Sequence, residues 1–161
     1  MLIALYLIAI VAANLIVTQF GPQVSIITAF LFIGLDLTAR DGLHEKWDGK
    51  GLWWKMLLLI GTGSLLSYAL NRNAGPIALA SFVAFAGAGL VDTVIYSLLH
   101  GNTRFIKING SNVVSSAVDS FLFPAIAFGL PVLWPIVIGQ FIAKIFGGFI
   151  WSMILIRYYN R

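Results

Sequence analysis

The sequence predicts an all-α fold, a polytopic membrane bundle of six transmembrane helices, and three observations carry that prediction. The 161 residues are 60% hydrophobic and only 10% charged, with a mean hydropathy of +0.94, whereas a soluble domain carries about 25% charged residues. Too little polar surface is left to cover a water-exposed globule, so lipid is the outer solvent. The apolar residues are gathered into six long runs separated by turn chemistry. The basic residues fall almost entirely on one side once the chain is threaded six times through a bilayer.

The runs cover approximately residues 1–20, 24–40, 52–71, 77–99, 110–130 and 132–158. At 1.5 Å per residue each approaches or crosses a hydrocarbon core of roughly 30 Å. The first lacks a basic leader and is not followed by a small-residue cleavage site, so it reads as a retained span. Gly21-Pro22 ends it. The second closes on Asp36 and Arg40 before the polar stretch 41–51. The third opens on Trp53-Trp54 and stops at residues 71–76. The fourth ends near Gly101, and the fifth follows residues 101–109. Gly129-Leu130-Pro131 separates the fifth from the sixth. The whole chain reads as a single transmembrane domain.

With six spans, one side receives Arg40, Lys46, Lys50, Lys55, Arg104, Lys107, Arg157 and Arg161, and the other only Arg72. By the positive-inside rule both termini are cytoplasmic. Trp47, Trp53, Trp54, Tyr158, Tyr159 and Trp134 lie at span ends, as interfacial anchors do. Two halves of three spans would be inverted relative to one another. The echo of Ala13-Asn14-Leu15 in Val91-Asp92-Thr93 is a weak sign of a 3+3 inverted repeat, an arrangement common among transporters.

Lys144, the tenth basic residue, lies inside the sixth span. A charge at the bilayer centre costs at least ~2.5–3.5 kcal/mol on insertion scales, so it needs a partner or water. Asp119 lies about 14 Å along span five and Lys144 about 18 Å along span six, both near mid-depth. Asp92 sits in span four, and Asp36 and Arg40 are one turn apart in span two, where they can form a clamp. Asn112, Ser115, Ser116 and Asp119 make one stripe on span five. Gln140 stacks over Lys144 on span six, and Asn14 lies on span one. A purely structural ion pair would need Asp119 and Lys144 alone. The additional acids and amides exceed what packing requires and suggest an enclosed polar cavity. Gly61, Gly87, Gly89, Gly147 and Gly148 are read as close-packing positions.

Such a cavity suits a small, flat, polar molecule, since a carboxylate can accept two adjacent N–H donors and aromatic rings can cover a ring face. Enzymatic alternatives fare worse. The acidic stretch around His44, Glu45 and Asp48 lacks a His-Glu-x-x-His pair, and neither Gly-x-Ser-x-Gly nor a phosphate-cradling loop occurs. The absence of cysteine excludes thiolate metal sites and cysteine nucleophiles. No cofactor or metal is implied, and the scattered basic residues do not point to nucleic acid.

Several strings together resemble the vitamin-uptake/queuosine-precursor transporter family of six-span bacterial inner-membrane proteins. They are Asn14 in Ala-Asn-Leu-Ile-Val, Asp36-Leu-Thr38-Ala-Arg40, Asp92, Asn112-Val-Val-Ser-Ser116-Ala-Val-Asp119, and Lys144. The chain departs in its short loops and in Asp41-Gly42 after Arg40. The resemblance implies import of 7-deazaguanine precursors of queuosine, such as preQ0 and preQ1. Asn14, Asp92, Asn112, Ser116, Asp119, Gln140 and Lys144 are then the substrate-binding candidates, with Asp36 and Arg40 as a cytoplasmic gate. Two other readings stay open. One is a substrate-binding subunit for another vitamin-like solute, acting as a homo-oligomer or with an energising partner. The other is a structural or channel bundle with no specific solute.

Overall fold

The computed structural model describes residues 2–36, 39, 43, 47, 51–99, 101 and 104–159. Among them the regular structure is entirely helical, in six helices. Helix α1 is Leu2–Phe20, and its buried face is Tyr6, Ala9, Ile10, Ala13, Asn14 and Val17, the alternation of threes and ones that one side of a helix demands. It stops at Gly21, whose φ of +82° is the left-handed conformation open to glycine. The Gly21 N–H caps the Val17 carbonyl at 2.9 Å.

Helix α2, Pro22–Asp36, is irregular. A 3-10 turn with proline at its start, Pro22–Val24, passes through one α turn into a π-helical stretch, Ala29–Ile33. In that stretch the Leu31 carbonyl accepts a hydrogen bond from the Trp151 indole at 2.9 Å. Helix α3 is Leu52–Leu70; it ends at Asn71, whose side chain accepts the Asn73 N–H at 3.0 Å and turns the chain into Arg72–Ala74. Helix α4, Gly75–Leu98, carries a proline in its first turn, where no intrahelical N–H is required. Helix α5 is Arg104–Phe128 and helix α6 is Trp134–Tyr159.

One helix start departs from the apolar runs. Helix α5 begins at Arg104 rather than near 110, although its membrane-length apolar part is Gly110–Phe128. Hydropathy senses where lipid begins, while backbone hydrogen bonding continues past that boundary. Arg104 and Lys107 are therefore on helix, not in a loop.

Helix α5 packs along α4, α1 against α3, α3 against α4, and α6 crosses α2 and touches α5. The core joins Tyr6, Ile10 and Ala13 of α1 to Ala29 and Ile33 of α2, Met56, Leu59 and Ile60 of α3, Phe85 of α4 and Ala143 of α6. The α2–α6 crossing is backbone to backbone. A Cβ on Gly34 would lie 2.6 Å from the Gly147 carbonyl carbon, and one on Gly147 would overlap the Phe30 carbonyl. On α6 the small face Gly139, Ala143 and Gly147 is spaced by fours, the pattern that lets membrane helices approach closely.

Four segments, Leu2–Phe20, Arg72–Ile95, Gly110–Phe128 and Trp134–Trp151, are long and apolar enough to cross a membrane, yet only 33–44% of each is buried. Leu58, Leu65, Leu90, Phe146 and Phe149 are exposed, and only lipid solvates such a surface. Hydroxyls on that outer face satisfy themselves: Thr62 donates to Leu58 O and Thr93 to Gly89 O.

Candidate functional site

Near mid-height the helices leave a cavity of about 310 Å³ between their atoms. Its wall is formed by Ala13, Asn14 and Val17 from α1, Ser25, Thr28, Ala29 and Ile33 from α2, Ser81 and Phe85 from α4, Asp119 and Phe123 from α5, and Gln140 and Lys144 from α6. The α2 and α6 contributions are brought together by the glycine crossing one to two turns further along α6.

Lys144 Nζ stands 2.7 Å from Asp119 Oδ2, with the two side chains only 2% and 5% exposed. The same ammonium donates to Gln140 Oε1 at 3.2 Å. Gln140 Nε2 in turn donates to Ser25 Oγ at 2.9 Å, and Ser25 donates to the Pro22 carbonyl. A polar line thus runs from the first turn of α2 to a carboxylate in the middle of α5. A buried charge pair is tolerable only with such additional hydrogen bonds.

The line stops short at one atom. Asp119 Oδ1 is buried with no hydrogen-bond partner among the described residues. Leaving an acceptor in that condition costs about 1–3 kcal/mol, more when it is charged. Asn14 is placed differently. Its Nδ2 donates to Ser67 Oγ at 3.1 Å and its Oδ1 accepts from Ser81 Oγ, so the amide ties α1 to α3 and α4 while lining the cavity.

Of the expected binding residues, Asn14, Asp119, Gln140 and Lys144 meet in this cavity. Ser116 is buried on α5, Asp92 is buried on α4 and Asn112 is half-buried, none of them in its wall. Asp36 is buried in a second cavity of about 500 Å³, with Tyr6, Trp53, Met56, Leu57, Ile60, Phe85, Ala86, Gly89 and Thr93. Arg40, the expected partner in a clamp, lies outside the described residues. Sequence reasoning did not select Ser25, Thr28, Ser81, Phe85 or Phe123. A signal existed for the first two: Ser25, Thr28 and Asp36 share the buried stripe of α2 with Ala29 and Ile33.

A helical membrane bundle enclosing an ion pair, amides, hydroxyls and two phenyl rings has the makings of a solute-handling membrane protein. The chain matches the family model described as putative vitamin uptake transporter over residues 3–158, nearly its full length, and it belongs to that family. Its membership supports a transport role for a small-molecule solute. No curated protein and no solved structure matches the chain.

Proposed function

We propose that the protein imports a 7-deazaguanine precursor of queuosine, such as preQ0 or preQ1, across the inner membrane and holds it in the central cavity. The observation that carries this reading is the bare Asp119 Oδ1 beside a cationic partner. A carboxylate with one oxygen bound to Lys144 and the other open is suited to accept ring and exocyclic N–H donors from one edge of a planar base. Lys144 and Gln140 are placed to serve a carbonyl or ring nitrogen. Phe85 and Phe123 supply apolar cover for a ring face.

Uptake of labelled preQ0 by cells lacking their own importer tests the reading. Accumulation that depends on this chain is expected, and no accumulation from well-expressed protein would overturn it. A thermal shift in detergent with preQ0, absent with unrelated vitamins, separates this solute from another vitamin-like one.

The basic-residue asymmetry supports a chain with both termini in the cytoplasm. Reporter fusions at residues 48, 104 and 161 should therefore read cytoplasm, and a fusion at 73 should read the outside. A periplasmic C-terminus would remove the six-span arrangement.

A further inference from the structure

We infer that the cavity between α3 and α4 is a second station for the same solute, with Phe85 as the barrier between it and the central cavity. The inference rests on the reading of the central cavity as a solute site. Phe85 is the residue common to the two walls and is itself only 8% exposed. Each cavity holds an almost fully buried carboxylate, Asp119 at 4% and Asp36 at 2% exposure. The second adds the rings of Tyr6 and Trp53, apolar faces with polar tips suited to a planar heterocycle.

The space between its wall atoms is about 500 Å³ and is partly open to the outside. Part of that room comes from Gly89, where an added Cβ would meet nothing within 4 Å. The outer rim is Trp53 and the exposed Thr93, and a lipid chain entering there is the competing occupant. An acyl tail gains nothing from a wall containing a carboxylate and a tyrosine, whereas a base with N–H donors does. Two carboxylate-bearing chambers on either side of one aromatic ring form a path along the bundle rather than a single closed pocket.

The chain has no cysteine, so single thiols can be placed without other changes. Ala86→Cys reports the second cavity and Ala13→Cys the central one; Met56→Cys replaces the former if Ala86→Cys fails to fold. Modification by a small neutral maleimide is timed with and without preQ0. At a concentration ten times Kd, occupancy should slow modification about tenfold at both positions. In an Asp119→Asn, Lys144→Met background, which removes both charges of the pair, protection at position 13 should fall away while protection at position 86 persists. Protection at 13 without protection at 86, or loss of both in the folded Asp119→Asn, Lys144→Met background, overturns the second station and leaves the central site standing. No protection at either position in folded protein overturns the central site as well. Phe85→Trp should slow uptake several-fold. Uptake at the normal rate in that variant would remove Phe85 as the barrier.

Discussion

The double variant Asp119→Asn with Lys144→Met is expected to fold, reach the membrane and lose most of its preQ0 import. Either residue changed alone strands a charge among buried neighbours, which costs about 3–5 kcal/mol and depletes folded protein. Changing both removes the two charges of the 2.7 Å pair together and keeps similar volume, and such replacements are often neutral for stability. The amide introduced at position 119 can still donate or accept one bond, but the charge-assisted acceptor at Oδ1 is gone. Losing such a bond costs about 1.5–3 kcal/mol, which is roughly a ten- to hundredfold weaker hold on the solute. The paired readings are membrane abundance, by quantitative blot, and initial uptake rate. Normal uptake by an abundant double variant would show that the pair serves only the fold.

Gly147→Ala and Gly148→Ala should diverge in stability although the two glycines are neighbours. A methyl on Gly147 would overlap the Phe30 carbonyl and crowd the Phe30 Cα at 3.2 Å. Neither partner is a side-chain tip that can swing away, so α2 and α6 must separate. Overpacking of this kind costs typically about 1–3 kcal/mol, occasionally more. The separation also strains the Trp151–Leu31 and Gln140–Ser25 hydrogen bonds that bridge the same two helices. At position 148 nothing lies within 4 Å of an added Cβ, and replacing a mid-helix glycine by alanine favours the helix by up to about 1 kcal/mol. Melting in detergent should therefore place Gly147→Ala below the parent and Gly148→Ala level with it or above. Equal shifts for both would mean that the crossing is looser than the geometry describes.

Much of the helical layout was legible because lipid imposes a severe rule: each crossing segment must be both apolar and hydrogen-bonded within itself. The breaks at Gly21, Asn71 and Gly129 announced themselves through turn chemistry. The meeting of Asp119 with Lys144 was legible too, since charges of opposite sign at similar depth have few other solutions. What escaped was whatever is cheap in a membrane helix. Serine and threonine can bond a carbonyl of the preceding turn. Thr62 on the outer face and Thr28 in the cavity wall both do so, and only the helical spacing of Thr28 with Ser25 and Asp36 sets it apart. The π stretch of α2 carries no compositional mark. Asp92 looked as costly as Asp119, yet the fold buries it outside both cavity walls. Cost identifies a residue that needs company without saying which company.

The amide of Asn14 has a mechanical consequence. By engaging Ser67 and Ser81 at once it rivets α1, α3 and α4. Helices α2 and α6, joined through Gly34 and Gly147, form the opposing jaw. Rocking these two blocks against each other would open the chamber and leave the bonds within each block intact. The Asp119–Lys144 contact lies at the seam toward α6, where a change in its length would report which way the jaw is leaning.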